Sequence, residues 1–137
     1  MIAASWGIAC GIIPLIIADN QSISLHLFSF GWIFCYIMAI TIPFDIRDLE
    51  IDEKKKKTIP QWVGIKNAKL ISYLFLCIAI ALIGANLSFM PFLIMTVSFI
   101  TAGMLVYFSS PTNHDYYFSF FIDGHIILQF LLVYFFC

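Results

Sequence analysis

Charge is what this sequence has least of: 11% of its 137 residues are Asp, Glu, Lys or Arg, against 62% hydrophobic and 18% aromatic. That balance excludes a water-soluble monomer of this size, because too few polar side chains exist to cover its surface. Basic residues are missing outside one stretch, where Arg47, Lys54, Lys55, Lys56, Lys57, Lys66 and Lys69 make up all seven. No nucleic-acid partner is expected. The four cysteines, Cys10, Cys35, Cys77 and Cys137, show no paired spacing, which argues against a zinc site or disulfide framework and for small buried hydrophobes. Internal repeats, low-complexity tracts and a basic region ahead of the first apolar run are also lacking. No signal peptide is read, so insertion is expected to rely on the apolar runs themselves.

Those runs are long. Apolar residues fill 2–18, 25–44, 68–85, 87–108 and 117–137, each close to the ~20 residues that a helix needs to cross a bilayer. Runs this continuous do not alternate as barrel strands do, and open sheet edges are forbidden in lipid. The expected fold class is therefore all-α: a polytopic membrane helix bundle of five transmembrane helices forming one domain, residues 1–137. Loops rich in Lys and Arg stay in the cytoplasm. That rule puts the loop at 45–67 and the N-terminus inside, in a cytoplasmic membrane, and Cys137 outside.

The stretch "FDIRDLEIDEKKKKTIPQWVG", Phe44 to Gly64, holds ten of the fifteen charged side chains. A helix turns about 100° per residue, so Asp45, Asp48 and Asp52 fall within roughly 60° of one another while Arg47 and Glu50 point away. Three carboxylates on one face repel, and a cation among them relieves the cost. Oxygen-only ligands select a hard ion, with Mg²⁺ the first choice. Mg²⁺ shares its coordination with substrate phosphates, and Lys54–Lys57 follow at once, so the pattern points to a diphosphate site at the membrane surface. Two plainer readings stay open. Five acidic and seven basic side chains also describe an ordinary solvated connection. The lysine run suits anionic headgroups as well, although the net charge from Asp45 to Lys69, seven bases against five acids, is only +2.

The spacing Asp45-x-x-Asp48-x-x-x-Asp52 resembles the second aspartate-rich signature of the UbiA-type intramembrane prenyltransferases. The resemblance extends through Arg47, the Lys57-Thr58 pair, Pro60, Gly64 and Ala68, and to "YYFSFFIDGHIILQFLLVYF" as a final helix. It implies a nine-helix fold of which this chain corresponds to the last five. It also implies Mg²⁺ as cofactor, an isoprenyl diphosphate as donor, and a lipophilic acceptor such as a quinone-precursor aromatic acid, as in quinone and other isoprenoid biosynthesis. By the same resemblance Asp48 and Asp52 are the catalytic residues, Asp45, Asp48 and Asp52 the metal ligands, and Arg47 and Lys57 weaker diphosphate contacts. The family's other signature, which begins with Asn-Asp, does not occur here. A separate N-terminal half or a second copy is thus an expected partner, alongside membrane lipid, and a non-catalytic scaffold of the same fold is the first alternative.

Two ionisable residues, Asp123 and His125, interrupt the last apolar run. Such groups at membrane depth mark function by default. They are expected either to line a polar cavity or to bond a neighbouring helix. An ion or proton transporter built on them would need a polar stripe over several helices, and Thr41, Ser72, Thr96, Ser98 and Thr101 stand isolated in the sequence. His114 and Asp115 are placed on the same side as the aspartate motif, next to an interfacial Tyr116 and Tyr117.

Overall fold

A computed structural model describes residues 23–50 and 58–136. The expected span at 2–18, together with Asp52 and Lys54–Lys57 of the charged loop, lies outside them. Among the described residues every regular element is helical: α1 (Ile23–Arg47), a 3₁₀ turn (Asp48–Glu50), α2 (Ile59–Val63), α3 (Ile65–Gly84), α4 (Phe89–Phe108), and a π-helical turn (Tyr117–Ile122) that runs into α5 (Asp123–Phe136). Among the described residues three helices are long and apolar enough to cross a membrane, over Phe28–Arg47, Ile65–Gly84 and Phe89–Phe108. Each spans 20 residues, or about 30 Å of helix axis, which equals the hydrocarbon thickness. The last apolar helical stretch, Tyr117–Leu132, is shorter. A membrane helix bundle follows from these elements.

Helices α3 and α4 each pack through one narrow stripe, whereas α1 is buried around most of its circumference from Cys35 to Ile46. On α3 the buried residues are Ala68, Ser72, Leu76, Ala79 and Ile83, and on α4 they are Met95, Ser98, Phe99, Ala102 and Val106, both at three- and four-residue steps. Among the described helices α1 and α3 share the most extensive contact. It is lined by Ala39, Ala68 and Ala79, none of which exposes any surface, and small side chains allow the backbone approach that holds helices together in lipid.

Pro43 lies inside α1 without ending it. Proline has no N–H for the carbonyl four residues back, here that of Ala39. The Ser72 hydroxyl on α3 donates to that carbonyl at 2.6 Å, so a neighbouring helix supplies the hydrogen bond that the proline withholds. Ser72→Ala is expected to lower unfolding free energy by about 1–3 kcal/mol, the cost of an unpaired buried carbonyl, read as a lower midpoint in detergent unfolding.

The residues after the charged loop act as punctuation. Thr58 caps α2, its N–H bonded to the Gln61 side chain at 3.2 Å, and Pro60 occupies the first turn. Gly64 then turns the chain into α3 with φ +81° and donates its N–H to the Pro60 carbonyl at 2.9 Å. L-residues rarely adopt that φ, so Gly64→Ala should cost about 1–2 kcal/mol, measured on the same unfolding curve.

Candidate functional site

Contacts between helix ends bring two links to one end of the bundle. The Arg47 guanidinium, at the end of α1, sits 5.4 Å from the centroids of both Phe44 and Phe118. The Lys69 ammonium, near the start of α3, donates to the Tyr107 carbonyl at 2.6 Å and so caps the end of α4. The loop after Arg47 and the link at 109–116 therefore share this end, as the sequence reading expects.

Asp45 lies half-buried in the last turn of α1. Asp48 opens the 3₁₀ turn, so regular α-helix ends at Arg47, two residues beyond Asp45. The outward direction that an ideal helix assigns to Arg47 does not keep it from the carboxylates. Its Nε donates to one oxygen of Asp48 at 2.6 Å and its Nη2 to the other at 3.1 Å, a two-pronged ion pair. Asp115 and Asp123 lie within Coulombic reach of the same guanidinium. Asp52 and Lys57 fall outside the described residues, and among the described ones no three His, Cys, Asp or Glu side chains group as metal ligands. The donor chemistry of Asp45 and Asp48 nevertheless suits a hard ion. A carboxylate oxygen that accepts from Arg47 also keeps a second lone pair.

A second polar cluster is buried between α1, α4 and α5. Phe118, Ile122, His125 and Gln129, at three- and four-residue steps, form the stripe that faces the bundle. The Tyr36 hydroxyl lies 2.7 Å from His125 Nδ1 and 3.3 Å from the His125 carbonyl. His125 Nε2 lies 2.8 Å from Thr101 Oγ1, and the Thr101 hydroxyl donates to the Ser98 carbonyl at 2.7 Å. With that hydroxyl proton committed, Thr101 accepts from Nε2–H, and Nδ1 accepts from the Tyr36 hydroxyl, whose one proton is shared with the His125 carbonyl. A neutral imidazole thus satisfies every partner. One turn further on, Ser98 donates to Gln129 Oε1, and Gln129 Nε2 reaches Met95 Sδ at 3.1 Å.

Ser98 and Thr101 are therefore not isolated, and the sequence reading misses both Gln129, the partner of Ser98, and Tyr36, the second partner of His125. The chain of side chains extends from Met95 to Thr101, about 9 Å of helix axis, against roughly 30 Å of hydrocarbon. Its length suits a joint between three helices better than a path across a membrane. Asp123 is exposed, two residues and about 200° away from His125. It lines an open groove of about 670 Å³ between α4 and the last helix, with Thr101, Ser119 and His125 among apolar walls that include Met104 and Leu128. His114 and Asp115 are exposed, the imidazole stacked on Tyr116 at 5.1 Å.

Compared with protein-family models, curated proteins and solved structures, the chain matches none. The functional reading rests on the residues themselves.

Proposed function

We propose that the chain is the C-terminal part of a UbiA-like membrane prenyltransferase, in which Asp45, Asp48 and Asp52 take up Mg²⁺ and with it the diphosphate of an isoprenyl donor. The observation that carries this reading is the position of Asp45 and Asp48: paired carboxylates one turn apart, beside an arginine, where a helix of membrane-spanning length ends. Mg²⁺, when bound, would stabilise the charge that develops on the departing diphosphate.

The chain's own residues divide the remaining work. Asp48 and Asp52 hold the cation and Asp45 supports them. Arg47, beside Asp48, and Lys57, in the lysine run that follows the motif in sequence, supply cations for the diphosphate oxygens. The open groove, apolar apart from Thr101, Ser119, Asp123 and His125, has the volume of a small-molecule site and suits a lipophilic acceptor or prenyl tail. Which acceptor is prenylated would then depend on the groove and on the partner half together. The expected membrane is a cytoplasmic one, with the aspartates on its inner face, because all seven basic residues fall between Arg47 at the end of α1 and Lys69 near the start of α3.

The reading is tested by retention of radiolabelled geranylgeranyl diphosphate on the detergent-purified chain. Retention that requires Mg²⁺ and is competed by inorganic pyrophosphate supports a working half-site. Retention unaffected by chelation would instead favour a scaffold that keeps the fold without the reaction.

A further inference from the structure

The guanidinium of Arg47 occupies both oxygens of the carboxylate that the proposed reading gives to a cation. Its fork matches a carboxylate in shape, with Nε and Nη2 at 2.6 and 3.1 Å from the two Asp48 oxygens. The pair is also braced from behind. Phe44, one turn earlier on α1, and Phe118, on the π-helical turn before α5, each hold a ring 5.4 Å from the guanidinium carbon. The two rings lie 6.0 Å apart. Aromatic faces attract a planar, weakly hydrated cation in this way.

Two features make the arrangement exchangeable. The Arg47 and Asp48 side chains remain 29% and 35% exposed, and ion pairs that water can reach are weak. Phe118, in contrast, is fully buried, so a change at the guanidinium face is passed into the packing of the last helix. The π-helical turn that carries it is a form concentrated at functional positions.

We propose that Arg47 is the resting occupant of Asp48, a guanidinium held by Phe44 and Phe118 where a divalent cation belongs, and that exchange of the two is transmitted to the last helix through Phe118. The inference rests on the Mg²⁺ reading of the aspartates. In the resting state Arg47 neutralises a carboxylate that would otherwise sit charged at the membrane surface. On cation entry it is released from Asp48 at the moment when a diphosphate needs a positive partner. Arg47 is thus a positioning residue for the cation site as well as a candidate diphosphate contact.

The experiment is a Mn²⁺ titration followed by electron paramagnetic resonance on the full detergent-purified chain, without diphosphate. Wild type, Arg47→Gln, Arg47→Lys and Asp48→Asn are compared. Asp48→Asn should abolish the site. Arg47→Gln should bind Mn²⁺ about tenfold more tightly than wild type, because one charge-assisted competitor is gone, and Arg47→Lys should fall between them. Phe118→4-fluorophenylalanine supplies a second readout, a ¹⁹F shift on Mg²⁺ addition that is lost with Asp48→Asn. Binding that depends on Asp48 but is equal in wild type and both Arg47 variants, with a silent fluorine, would overturn the exchange and leave the cation site standing. The absence of any Asp48-dependent binding would overturn the exchange together with the reading beneath it.

Discussion

Replacing His125 by leucine is expected to lower the unfolding free energy of the bundle by about 1–3 kcal/mol, the loss of the two hydrogen bonds by which the imidazole joins α5 to α1 and α4. The change leaves the buried Tyr36 hydroxyl on α1 with only the residue-125 carbonyl, 3.3 Å away, and Thr101 on α4 loses its contact to α5. Single interhelical hydrogen bonds in membrane proteins average nearer 0.6 kcal/mol, and a loss of that size would mean that water or lipid reaches the site. The two values are distinguished by denaturant unfolding in detergent micelles. The sharper form of the prediction is the triple variant Tyr36→Phe/His125→Leu/Thr101→Val. Removing all of the polar partners leaves nothing unsatisfied, so the triple variant should be more stable than His125→Leu alone. If it is worse by the sum of its parts, the three side chains act independently and the joint between helices is misread.

The second large effect is expected at the aspartates. Asp48→Asn keeps the shape of the side chain and removes one of the charges that hold a hard cation. With Asp52→Asn as well, Mg²⁺-dependent retention of an isoprenyl diphosphate should fall by at least a hundredfold, about 2.7 kcal/mol. Folding should be little affected, since Asp48 is partly exposed and its pair with Arg47 is a weak one. The melting curve of the double variant should therefore overlay that of wild type. A binding loss accompanied by unfolding would say nothing for the site, and for this reason both curves belong to the same experiment.

Much of the helix layout is legible in hydropathy. The runs at 25–44, 68–85 and 87–108 correspond to α1, α3 and α4, over Ile23–Arg47, Ile65–Gly84 and Phe89–Phe108. The differences have physical causes. Helix α1 continues past Phe44 through Asp45 and Arg47 because a helix needs hydrogen bonds rather than apolar side chains, and Pro43 does not stop it because Ser72 serves the carbonyl that the ring leaves free. Helix α2, only five residues long, is too short to produce a hydropathy signal. The motif residues Thr58, Pro60, Gly64 and Ala68 take on local meaning as cap, first turn, positive-φ turn and helix contact.

The site was partly readable. Asp123 and His125 stand out as ionisable residues in an apolar run, and the 100° step alone sends them to different faces. The structure buries His125 and exposes Asp123. Tyr36 and Gln129 carry no charge and lie among apolar neighbours, so only the packing of α1 and α4 against α5 marks them as partners. The pairing of Arg47 with Asp48 escapes the helical wheel because the backbone tightens to a 3₁₀ turn at Asp48 and because a long side chain can reach its sequence neighbour.

The most direct test of the central claim compares wild type with Asp48→Asn/Asp52→Asn for retention of geranylgeranyl diphosphate, each with Mg²⁺ and with chelator. The account predicts retention in one of the four conditions, wild type with Mg²⁺. Equal retention by the two proteins, or equal retention with and without the metal, would contradict it.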